Sequence, residues 1–125
     1  MNAKAYLGTA AVYALIMFLW RYFYNPTMPA DTAAAAAAAS LVPPMAVSGI
    51  MGLVLAYVLS WVSGMTGSGI KAGLVMAVSQ IALVNVSYVL SGQRGTTQAL
   101  ASTVLLLVMH TAAGYTYGKL SAGKA

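Results

Sequence analysis

The chain contains no cysteine and no glutamate, and its only acidic side chain is Asp31. Without cysteine there can be no disulfide framework and no thiolate metal site. A proton-coupled antiporter generally carries an ionisable carboxylate within its membrane helices. The small four-helix multidrug exporters therefore match this chain in size but not in chemistry. Charge of either sign is scarce: charged residues make up 6% of the 125 positions, against 61% hydrophobic, whereas a soluble domain carries roughly 25% charged residues. A soluble domain of this length leaves much of its surface in water and could not hide so much apolar area. A lipid bilayer removes that conflict.

The six basic residues, Lys4, Arg21, Lys71, Arg94, Lys119 and Lys124, give a net charge of +5. They stand singly at the ends of apolar runs and form no basic patch or stripe, which argues against nucleic acid as a partner. At those positions they read as loop charge that sets membrane topology. Lys4 followed by an apolar run resembles the start of a signal peptide. That run, however, ends in Arg21 and bulky aromatics with no small-residue cleavage site, and it reads as a retained first span.

Four apolar stretches remain, at about 3–24, 45–63, 70–90 and 97–120. Each is close to the roughly 20 residues that a helix needs to cross the hydrocarbon core. In lipid the backbone must satisfy its own hydrogen bonds, which makes helix the default. The breaks are Asn25-Pro26, Pro43-Pro44, the glycines Gly64, Gly67 and Gly69, and Ser91-Gly92-Gln93-Arg94-Gly95. The aromatic cluster ending at Tyr24 reads as an interfacial belt. Between the first two spans, Asp31 is a good N-cap for an alanine-rich segment over 32–42. Such a helix is too short to span and would lie at the interface or pack on the bundle. The expected fold is thus all-α: a single integral membrane domain, a four-transmembrane-helix bundle with a short interfacial helix. Lys4, Lys71, Lys119 and Lys124 fall on one side and Arg21 and Arg94 on the other, so both termini are expected in the cytoplasm.

Small residues recur every four positions along the second span: Ser48, Gly52, Ala56, Ser60 and Gly64. In lipid such a ladder lets helix backbones approach closely. The larger Leu55, Tyr57 and Trp61 are then expected to face lipid or other partners. The third span carries a more polar face of Gly73, Ala77, Gln80, Val84 and Ser87. On an α-helix Asn85 stands about 140° from Gln80, which assigns it to a different neighbour or a second subunit. Gln80, Asn85 and Ser87 read as interhelical glue. The fourth span holds the only histidine, His110, on one face with Thr103 and Tyr117. An intramembrane histidine invites comparison with haem or chlorin ligands. One histidine cannot supply both axial imidazoles within a chain, so a hydrogen-bonded packing role is preferred and no cofactor is expected.

Trp20, Tyr24-Asn25-Pro26, the run Gly52 to Leu59 and the exit from Asn85 to Arg94 resemble small bacterial four-helix membrane proteins grouped as a domain of unknown function. The alanine-rich insert departs from that pattern. The resemblance covers most of the chain, implies architecture and brings no site residues with it; the expected location is a bacterial inner membrane. No nucleophile–base pair, metal-ligand set or phosphate loop can be assembled. The expected function is a non-enzymatic accessory or scaffold subunit of a larger membrane assembly. The alternative is an oligomeric pathway for a small solute or ion, a transporter, channel or holin-like pore lined by Gln80, Asn85, Ser87 and His110.

Overall fold

The computed structural model describes residues 2–24, 41–92 and 94–121, and among them every regular element is a helix. Four helices are long and apolar enough to cross a membrane. Helix α1 is Ala3–Tyr24 and α2 is Pro44–Thr66. Helix α3 starts as Gly69–Gln80, passes through a π-helical turn over Ile81–Val86, and closes α-helically over Ser87–Leu90. Helix α4 is Thr96–Leu120. At 1.5 Å per residue, the 22 residues of α1 extend about 33 Å. Asp31 and most of the alanine-rich segment lie outside the described residues. Its last two residues, Leu41 and Val42, form a bend rather than helix.

The ends have local causes. Pro44 sits in the first turn of α2, where a missing N–H costs nothing. Gly67, at φ 75°, takes the left-handed position that closes α2, its N–H donating to Ser63 O. Gly64 does not break the helix, contrary to the sequence expectation: it keeps α-helical geometry, and α2 runs on to Thr66. Ser68 then caps α3, its hydroxyl accepting from Lys71 N–H at 3.4 Å. Gly92, at φ 77°, makes the turn into α4.

Helix α1 packs along both α2 and α4, α3 packs along α4, and α2 meets α3 less extensively. The contacts run antiparallel. Gly8 faces Leu120 and Thr116, while Tyr13 meets His110; Gly69 faces Gly114, while Asn85 meets Ala99. Seven of the twelve buried hydrophobic residues are alanine, so the interior is built on close backbone approach rather than on large interlocking side chains.

The small-residue ladder holds for only part of its length. Ser48, Gly52 and Ala56 are buried, and a Cβ on Gly52 would come within 2.6 Å of Ala10 O. Ser60 is half-buried. Gly64 is exposed, with open space where a Cβ would go. Steps of four residues each drift about 40°, so Gly64 stands about 160° round from Ser48. The buried stripe follows the 3.6-residue period instead, through Ser48, Gly52, Leu55, Ala56 and Leu59. Leu55, expected on the outside, is therefore 8% exposed and in the core, whereas Leu53, Tyr57 and Trp61 are exposed. Leu55→Ala is expected to cost about 2 kcal/mol or more, and Leu53→Ala much less. Thermal unfolding of the two variants in one detergent checks this; a milder effect for Leu55→Ala than for Leu53→Ala would reverse the assignment of faces.

Candidate functional site

Two clusters of polar side chains lie between the helices, and both are organised by α4. The first centres on His110, which is fully buried, as is Tyr13 opposite it on α1. The Tyr13 hydroxyl donates to His110 Nδ1 at 2.7 Å. His110 Nε2–H donates to Gln80 Oε1 on α3 at 2.8 Å. A carbonyl oxygen only accepts, so the proton belongs on Nε2, and Nδ1 is left as the acceptor that a phenol O–H requires. The network thus selects one neutral tautomer. The two rings meet edge to face, with centroids 5.3 Å apart. One imidazole thereby joins three helices.

Close backbone contact holds that imidazole in position. A Cβ on Gly73 would collide with His110 O, and one on Gly69 with Gly114 O; one on Gly114 would in turn collide with Gly69 O. Gly69 and Gly73 are four residues apart, as are Gly114 and Gly118, and all four are buried. Two small-xxx-small pairs therefore face each other across α3 and α4, the geometry by which helices approach in lipid. Ala77, one turn beyond Gly73, is also fully buried.

The second cluster centres on Asn85, which is 2% exposed. Its Nδ2 donates to Thr103 Oγ1 at 3.0 Å and to Ala99 O at 3.4 Å. Thr103 Oγ1 itself donates to Ala99 O at 2.8 Å. Arg94 Nη1 donates to Asn85 Oδ1, and the guanidinium lies over the Tyr88 ring, 5.1 Å from its centroid. Arg94 N–H also donates to Tyr88 O at 3.1 Å. Asn85 thus uses its carbonyl and both amide hydrogens within the chain.

Asn85 and Gln80 bond to the same helix, which differs from the 140° separation expected of an α-helix. The π turn accounts for this. Its hydrogen bonds run i→i+5, so one additional residue is taken up in the turn and the phase of all that follows slips. Asn85 comes to the inner face in place of Val84, which is exposed, and Ser87 is exposed as well. Gln80, Asn85 and His110 therefore meet partners inside the bundle, and Ser87 does not join them.

In the first cluster no carboxylate among the described residues orients or charges the imidazole, and the hydroxyl is a phenol bound to nitrogen. Among the described residues no three His, Asp or Glu side chains gather. Tetrapyrrole ligation by His110 would require breaking the bond to Tyr13 or to Gln80 and admitting a ring into a closed interior. The purified protein is expected to be colourless, and a stoichiometric visible band lost in His110→Ala would overturn this.

Tyr13, Arg94, Gly69, Gly114 and Gly118 are the site residues that sequence reasoning missed. The glycines had a signal in their i, i+4 spacing. Tyr13 had none, being one of several aromatics on an apolar helix. Compared with family models, curated proteins and solved structures, the chain matches none.

Proposed function

We propose that this is a polytopic integral membrane protein of the bacterial inner membrane, acting as a non-enzymatic accessory or scaffold subunit of a larger membrane assembly. Membrane insertion is supported by the outer surface. Between 22% and 28% of each candidate span is buried, so most apolar side chains point outward; Trp61, Leu83, Leu90 and Leu100 are all more than 60% exposed. Contiguous apolar surface on that scale calls for an apolar solvent. The accessory role rests on one observation: Gln80, Asn85 and His110 are spent on bonds to other helices of the same chain. A solute pathway needs polar groups turned toward water, and only Ser87 of the four candidate lining residues is exposed.

The experiment is purification in mild detergent with mass and subunit stoichiometry measured together. A larger membrane partner at fixed stoichiometry is the expected result. A closed homo-oligomer that passes solute in vesicles would replace this reading with the pathway. Topology is tested alongside. The lysine bias puts both termini in the cytoplasm, so reporters at Ala125 and in the 25–42 segment should report opposite sides, with Ala125 inside.

A further inference from the structure

Between the end of α3 and the start of α4 is a cleft of about 230 Å³, whose lining includes Ile81, Val89, Leu90 and Leu100 with Asn85 and Thr103. It is smaller than the pockets that take drug-sized molecules. Leu90 is 82% exposed and Leu100 63%, so the cleft opens sideways, in the direction that lipid would occupy. The polar atoms of Asn85 and Thr103 already bond to each other, to Ala99 O and to Arg94. The cleft therefore suits an apolar segment and offers little to a polar one.

Beside it stands Arg94, half-buried in the turn where α3 ends and α4 begins. A guanidinium carries five N–H donors, and the partners seen here, the Asn85 amide and the Tyr88 ring, are both uncharged. Among the described residues there is no carboxylate side chain to neutralise it. The adjacent N-terminus of α4 has no side-chain cap from Gly95 and adds positive potential. An apolar cleft open to the bilayer, next to a basic group with no counter-charge among the described residues, has the complement of one kind of molecule. We infer that the cleft binds an anionic phospholipid, with an acyl segment between α3 and α4 and the headgroup phosphate on Arg94. Arginine prefers phosphate for its planar, two-point geometry. The inference rests on membrane insertion but not on the accessory role.

The test uses the full chain in detergent with three probes: phosphatidylglycerol, phosphatidylcholine and inorganic phosphate. Bound lipid is counted by native mass spectrometry, and the unfolding midpoint is followed in parallel. Both lipids carry the phosphate, but the quaternary ammonium of phosphatidylcholine offsets its charge, so a charge-assisted contact to Arg94 should favour the net-negative phosphatidylglycerol by about tenfold in apparent affinity. Arg94→Gln should erase that preference, and Arg94→Lys should retain part of it. Leu100→Trp, at an exposed wall position, should fill the cleft and weaken both lipids; it tests the site even if Arg94→Gln folds poorly. Equal binding of the two lipids, or unchanged binding in Leu100→Trp, would overturn the proposal. So would stabilisation by inorganic phosphate alone that matches the lipid. Asp31, outside the described residues, is the chain's only acidic side chain and so the side-chain alternative as counter-ion. If Asp31→Asn abolished the same stabilisation as Arg94→Gln without lipid present, the arginine would be neutralised within the chain and the lipid site would be rejected.

Discussion

Gly73→Leu is expected to leave little folded protein at temperatures where the parent chain is intact. The atoms that a side chain at Gly73 would meet are backbone, namely the His110 carbonyl and, 3.4 Å away, Thr111 N. A flexible side-chain tip could move aside, but a helix backbone cannot without separating α3 from α4. Overpacking of a close-packed site costs about 1–3 kcal/mol and occasionally more, and a leucine against backbone belongs at the upper end. The smaller Gly73→Ala gains up to about 1 kcal/mol of helix propensity, so its net loss should be less. Gly64→Ala supplies the control. It has the same propensity gain and no neighbour within 4 Å, and should be neutral or stabilising by about 0.5–1 kcal/mol. Unfolding midpoints in detergent should therefore rank Gly64→Ala highest, then Gly73→Ala, then Gly73→Leu. Equal midpoints for the two alanine variants would mean that α3 and α4 do not approach through glycine.

That contrast marks where the sequence was legible and where it was not. The four helices could be read because each is a long apolar run with its few charges at the ends, a property of composition that tertiary packing does not alter. The faces were harder. A four-residue ladder is not a helix period, and the drift that carries Gly64 outward and brings Leu55 inward is visible only when the 3.6-residue period is followed instead. The π turn was not legible at all. Ile81–Val86 reads as an ordinary apolar stretch, and nothing in it marks the extra residue. Yet that one residue decides that Asn85 rather than Val84 meets α4. Gln80 and His110 were recognised as inward groups because lipid penalises their exposure. Their partner Tyr13 was hidden, since tyrosine is as common at an interface belt as in a core.

His110→Ala is the substitution with the next largest expected effect, and its size relative to its neighbours separates a structural role from a transport role. Removing the ring opens a cavity and strands both the Tyr13 hydroxyl and the Gln80 carbonyl. Interhelical hydrogen bonds in membranes are worth about 0.6 kcal/mol on average and up to about 2, so Tyr13→Phe and Gln80→Leu should each cost about 1 kcal/mol. Loss of the ring adds the cavity, and large-to-small changes in cores cost about 2–5 kcal/mol. His110→Ala should thus exceed the sum of the two partner variants. Tyr13→Phe with Gln80→Leu should not be additive, because both act through the same ring. The measurement is the unfolding midpoint of the four proteins, with solute flux recorded for the same variants in vesicles. A fastening role moves the midpoints in that order and leaves flux at background throughout. Were the imidazole part of a pathway, His110→Ala would change flux while its midpoint stayed near that of Tyr13→Phe, because a wet cavity would already hydrate the groups that the substitution leaves behind.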